Sequence, residues 1–225
     1  MAESRAFLFV NGEIRDAGPL LAQIQPGDLL IAVDGGLRHL SALGLHPHVL
    51  IGDLDSVDAD AENRARKAGC RVLRYPPQKD ETDLELALAY ALQEGCTSLC
   101  IAGGLGGRLD HTLGNLYLLT QPALKDCQAR MDDGVDEVFI VRETAEITGR
   151  LRDHVSLLPV SETVTGVRTE GLAYPLRDET LYRERTRGIS NVMLAEQARV
   201  RVESGLLWCI HSRLGSPQDF SGGEK

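Results

Sequence analysis

Short apolar runs alternate with segments of helical period along the first half of the chain. The runs Ala6 to Val10, Leu29 to Val33, Val49 to Ile51, Arg71 to Arg74 and Ser98 to Ala102 are β-rich and bounded by turn residues, which predicts strands. Between them lie helix candidates. In the clearest, Leu84, Ala87, Leu88, Ala91 and Leu92 follow the i, i+3, i+4, i+7, i+8 stripe of an amphipathic helix, and Thr82 with Glu85 can form a capping box at its start. Strands alternating with helices predict a parallel sheet covered on both faces, a Rossmann-like α/β domain.

The pattern changes near Val138. Phe139 to Val141, Val155 to Leu158, Val164 to Val167, Val192 to Leu194, Ala198 to Val202 and Leu206 to Ile210 are short apolar runs with turn residues between them and little helical period. They predict an antiparallel β-sandwich or barrel. The turn-rich stretch MDDGVDE puts the boundary near Gly134, giving an α/β domain over 1–134 and a β domain over 135–213. Residues 214–225 are polar and Gly-rich, the composition of a disordered tail.

Composition narrows the function. A hydrophobic fraction of 43% over 225 residues suits a globular core, and a net charge of −9 argues against a broad nucleic-acid or anionic-membrane surface. No apolar run reaches the roughly eighteen residues of a membrane span, and the N-terminal stretch lacks a signal peptide's long apolar core. The five cysteines are odd in number and contain no C-x-x-C pair, so buried thiols in a cytoplasmic protein are expected.

Acidic residues follow the predicted strands of the first half: Asp34, then Asp53 and Asp55, then Asp80 and Asp83, then Asp110. In a parallel sheet, loops after the strands gather at one edge, where ligands of open α/β folds bind. Carboxylates converging there repel one another unless their pKa values rise or a cation neutralises them. Mg²⁺ is the economical cation, since it takes oxygen ligands and commonly pairs one or two carboxylates with phosphate oxygens. Each acid taken singly also suits a turn or a helix cap.

The stretch GGLGGRLDHTLGN, residues 103–115, adds bare backbone beside both charge signs. Its glycines, Gly104 and Gly107 among them, let N–H groups approach an anion, the following helix start adds its positive dipole end, and Arg108 can follow phosphate oxygens. A tight turn beside a buried helix is the plainer reading. Lys79 is either a phosphate contact or a solvated charge, and Trp208 either a stacking surface or core.

The ordered motifs V-D-G-G (33–36), G-D-L-D-S (52–56), K-D-E-T-D (79–83), G-G-R-L-D-H (106–111), G-I-S-N (188–191) and G-L-L-W (205–208) resemble the thiamine pyrophosphokinase (thiamine diphosphokinase) family. The resemblance implies transfer of the pyrophosphoryl group of ATP to the thiamine hydroxyl, giving thiamine diphosphate and AMP, with Mg²⁺ required. It implies Asp53, Asp55 and Asp83 as metal-binding and catalytic acids, with Asp110 in the same cleft. It further implies Asp34, Gly35, Gly36, Lys79, Thr82, Gly104, Gly107 and Arg108 about ATP and its diphosphate. Ser190, Asn191 and Trp208, with Asp83, fall to thiamine, and a homodimer with thiamine sites at the subunit interface is implied. Lys79 stands where some members carry glutamine, and the charged YRERTR stretch (182–187) precedes G-I-S-N. Two competing expectations are a metal-dependent aspartyl phosphatase, which also uses D-x-D after a strand, and a non-catalytic nucleotide or thiamine sensor.

Overall fold

The computed structural model of the chain describes residues 4–214 and separates into two units, Met1–Gly134 and Val135 onward. The first contains strands β1 (Arg5–Phe9), β2 (Leu29–Val33), β3 (Val49–Gly52), β4 (Arg71–Arg74), β5 (Ser98–Ala102) and β6 (Gln128–Asp132). They form a wholly parallel sheet in the order β6-β5-β1-β2-β3-β4. Helices α1 (Ala17–Gln23), α2 (Leu37–Ala42), α3 (Ala59–Lys67), α4 (Asp83–Gln93) and α5 (Leu109–Leu118) make the connections. The chain builds outward from β1 to β4 and then returns to β1's other side with β5, so the switch point lies between β1 and β5.

Burial explains the strands. β1 is buried along Ala6 to Phe9 and β3 throughout, as the near-continuous apolar runs of a sheet covered on both faces require. α4 buries Leu84, Ala87, Leu88 and Ala91, the stripe read from the sequence, and each leucine contributes about 1.5–3 kcal/mol. Of the predicted capping box, half forms: Thr82 Oγ1 accepts from the Glu85 N–H at 3.2 Å, while the Glu85 carboxylate turns away to accept from Gln121 Nε2 at 2.9 Å.

The second unit is a β-sandwich. One antiparallel sheet has the order β12-β9-β14-β7, from β7 (Asp136–Val141), β9 (His154–Pro159), β12 (Asn191–Val192) and β14 (Leu207–Ser212). The other has the order β11-β10-β13-β8, from β8 (Thr144–Thr148), β10 (Thr163–Glu170), β11 (Arg177–Tyr182) and β13 (Gln197–Arg201). Val155, Leu157, Leu207 and Cys209 of the first pack with Ile147, Val164, Leu181 and Val200 of the second in one core. The α/β plus antiparallel-β class expected from the sequence is therefore the one observed. Of the predicted tail, Leu214 donates its N–H to Asp153 Oδ1 at 3.0 Å, and the remainder lies outside the described residues. No helix among the described residues is long and apolar enough to cross a membrane.

A buried histidine joins three neighbouring segments of the first of these sheets. His211 of β14 is fully buried, with Nε2 2.9 Å from Asp153 Oδ2 and Nδ1 3.5 Å from Glu137 Oε2. Burial alone would depress its pKa, but the two carboxylates outweigh it and hold the imidazole above its ordinary value. Burial likewise opposes the charge of Asp153, yet the N–H groups of Arg150 and Leu214 together with His211 hold its carboxyl below the usual range. A raised folded-state histidine pKa gives stability that is fully present below the unfolded value of about 6.5 and is lost as pH rises through the folded value. His211→Asn should therefore cost about 2–4 kcal/mol at pH 6 and less at pH 9, because the buried Asp153 carboxylate loses its cationic partner and keeps only its backbone donors. Thermal melts across that range check this, with a pH-independent difference between wild type and variant as the contrary result.

Candidate active site

The carboxyl edge of the parallel sheet carries the site. Asp34 follows β2 directly, Asp53 follows β3, and Asp83 is the first residue of α4, after β4. One carboxylate oxygen from each lies within 4.8 Å of the others, and all three residues are half-buried. Close approach depends on Gly52, since a Cβ there would sit 3.0 Å from the Asp34 Cβ. Asp34 occupies the left-handed region at φ 46°, a conformation aspartate and asparagine adopt more readily than other side chains.

Crowding shows in the electrostatics. Burial pushes the Asp34 carboxyl up, and the charges of Asp83 and Asp53 add to this, against hydrogen bonds from the Gly35 N–H and Ser56. Asp34 Oδ1 and Asp83 Oδ1 are buried and accept no hydrogen bond. Crowded carboxylates with a buried oxygen left without a donor, as Asp34 Oδ1 is, fit a hard, oxygen-seeking cation.

The other expected residues fall around this cluster. Asp55 stands outside it, exposed, with Oδ1 accepting from the Ser56 hydroxyl at 2.9 Å. Asp110 is 64% exposed and paired with Arg108 at 2.6 Å, so these two side chains hold each other at the start of α5. Gly107, at φ 71° with open space where a side chain would be, leads into α5, whose N-cap Arg108 supplies no capping side-chain bond. Gly104 offers its carbonyl to Asn115 Nδ2 at 2.9 Å. Gly35 and Gly36 are buried in the turn between β2 and α2, and Thr82 caps α4. Lys79 Nζ lies 2.9 Å from Asp83 Oδ1.

A cavity of about 550 Å³ opens beside the switch point, lined by Asn11, Gly12, Glu13, Ile14, Arg38, His39, Ala42 and Gly107. Arg38 donates to the Asn11 and Gly12 carbonyls at 2.8 and 3.1 Å, and His39 Nε2 lies 2.9 Å from the Gly12 carbonyl, which accepts from it. Burial holds His39 below its ordinary pKa, and the Arg38 charge adds to that. Sequence reasoning passed over these residues, although Val10-Asn11-Gly12 closes a strand as the acidic motifs do.

In the β-sandwich, Asn191 is buried and its amide is engaged at both ends: Oδ1 accepts from the Tyr174 and Val192 N–H groups, and Nδ2 donates to the Tyr174 carbonyl. Ser190 is exposed at φ 57°, with its N–H donated to Ser156 Oγ at 3.0 Å. Trp208 is half-buried on β14.

An α/β unit with an acidic cluster at its sheet edge, followed by an antiparallel β-sandwich, defines the structural class. Within that class, residues 22–131 match the thiamin pyrophosphokinase catalytic domain, and residues 141–207 match the thiamin pyrophosphokinase vitamin B1 binding domain. The thiamine pyrophosphokinase of Bacillus subtilis (strain 168) is 31% identical over 186 residues, covering 82% of this chain and 87% of that one. The crystal structure of the Bacillus subtilis thiamine pyrophosphokinase superposes with a TM-score of 0.85 at 27% identity, covering 94% of this chain and 100% of that one. That of Geobacillus thermodenitrificans thiamin pyrophosphokinase gives 0.81 at 28% identity, covering 94% and 99%. The chain belongs to the thiamine pyrophosphokinase family, as its ordered motifs suggested. Neither the phosphatase nor the sensor expectation gains support.

Removing one charge from the cluster separates its two consequences. Asp34→Asn keeps a side chain suited to φ 46° and should raise the melting temperature of the metal-free protein by a few degrees, roughly 0.5–1 kcal/mol, while weakening Mn²⁺ binding at least about tenfold. Thermal denaturation with a Mn²⁺ titration by electron paramagnetic resonance checks both. A destabilised variant would show that repulsion among the three acids does not govern the stability of this edge.

Proposed function

We propose that the chain transfers the pyrophosphoryl group of ATP to the hydroxyl of thiamine, giving thiamine diphosphate and AMP, with Mg²⁺ held by Asp34, Asp53 and Asp83. The observation that carries the metal assignment is the convergence of one carboxylate oxygen each from Asp34, Asp53 and Asp83 within 4.8 Å of one another. Bound there, Mg²⁺ would supply neutralisation of charge developing on the diphosphate oxygens.

The chain's own residues do the positioning. Asp83 directs one oxygen into the cluster, and we assign its second to the thiamine hydroxyl proton. The cavity beside Asn11, Arg38 and His39 is large enough for a nucleoside, and Gly107 on its wall leads toward the start of α5, where the His111 N–H is held by Asp110 and the earlier backbone N–H groups suit phosphate. Asn191 braces the loop carrying Tyr174 and leaves Ser190 exposed; with Trp208 they form the thiamine-facing part of the sandwich in this reading.

Self-association and location follow the same reading. Leu109, Leu113 and Tyr117 are exposed one turn apart on α5, an apolar stripe that supports a homodimer. Buried free thiols at Cys70, Cys96 and Cys209 support a reducing, cytoplasmic setting.

Phosphorus NMR of the purified protein with ATP, Mg²⁺ and thiamine should show AMP and thiamine diphosphate forming in equal amounts. The reaction should be lost in EDTA and slowed at least about a hundredfold in Asp83→Asn. ADP with thiamine monophosphate would overturn pyrophosphoryl transfer. Sedimentation should give about twice the chain mass of 24.5 kDa.

A further inference from the structure

Lys79 sets a positive charge against the acidic cluster. Its side chain is only 11% exposed, and its ammonium lies 2.9 Å from Asp83 Oδ1 and 3.2 Å from the Pro76 carbonyl. The contact with Pro76 is a hydrogen bond, whereas Asp83 Oδ1 accepts none despite the short distance. The ammonium is therefore held in place by the 76–79 loop and faces Asp83 as a charge rather than as an aligned donor. Asp83 belongs to the cluster with Asp34 and Asp53, so a fixed positive charge is built against the side of a site whose formal charge is −3.

Such a charge acts in opposite directions on two ligands. It repels a bare divalent cation, and it attracts the phosphate oxygens of a cation already bound to a polyphosphate. We propose that Lys79 is the specificity-determining residue by which this site selects a metal–polyphosphate complex over the free metal ion. The inference rests on the acidic cluster as a metal site and deepens that reading. Burial of the ammonium strengthens the effect, since little water screens it.

The test is a pair of binding titrations on the full chain, read by electron paramagnetic resonance of Mn²⁺. One uses Mn²⁺ alone, the other Mn²⁺ with a non-hydrolysable ATP analogue. Lys79→Met, which keeps length without charge, should bind bare Mn²⁺ about tenfold more tightly and the Mn²⁺–analogue complex about tenfold more weakly. The ratio of the two affinities then shifts on the order of a hundredfold. Lys79→Arg, which keeps the charge, should preserve the wild-type order of the two affinities and so separates charge from packing. Equal weakening of both ligands in Lys79→Met, or no change in either, would overturn the role of Lys79 while leaving the metal site standing. Wild-type protein that bound neither ligand would overturn the metal site itself and this inference with it.

Discussion

Mutual repulsion of three carboxylates is the constraint around which the α/β unit is arranged. Asp34, Asp53 and Asp83 come from three different connections, and a parallel sheet brings the ends of β2, β3 and the start of α4 to one edge whether or not their charges agree. Partly dehydrated like charges at this separation cost free energy that an ordinary surface loop would relieve by turning outward. Here the side chains are held by the buried β2 and β3, by the bare Gly52, and by a capped helix start, and burial pushes the Asp34 carboxyl up, with the charges of Asp83 and Asp53 adding a smaller push.

The β-sandwich handles buried charge in the opposite way. His211, Asp153 and Glu137 place a cation between two anions, and Asp153 is satisfied further by two backbone N–H groups. That set pairs opposite charges, with His211 Nδ1 making no hydrogen bond but lying 3.5 Å from Glu137, whereas the acidic cluster brings together three like charges and leaves Asp34 Oδ1 without a donor. Opposite charges paired inside the protein mark a structural role, and like charges gathered at a sheet edge mark a place where a cation from outside offsets them.

Apolar runs and helical period made the first unit legible because its central strands are buried on both faces. β6, β8 and β11 escaped notice for the converse reason: QARMD, TAEIT and RDETLY mix charged and apolar residues, as half-exposed strands do. Acids after strands marked the site's edge, and Asp34, Asp53 and Asp83 were all among them. The cavity at Asn11, Arg38 and His39 was not visible, since it depends on the switch point between β1 and β5, which is a property of strand order and not of any local motif.

Which acid of the D-x-D pair joins the cluster is likewise decided by a residue that carries no charge. Leu54 lies between Asp53 and Asp55, is 5% exposed and adopts φ 64°. A left-handed leucine costs about 1–2 kcal/mol, and burying its side chain in the core under β1, β2 and β3 returns about 1.5–3 kcal/mol, so the strained conformation holds. With Leu54 anchored inward, the chain reverses between the two aspartates, and Asp53 meets Asp34 and Asp83 while Asp55 faces solvent beside Ser56. Simple alternation along the loop would not have produced that division; the core packing of one apolar side chain does.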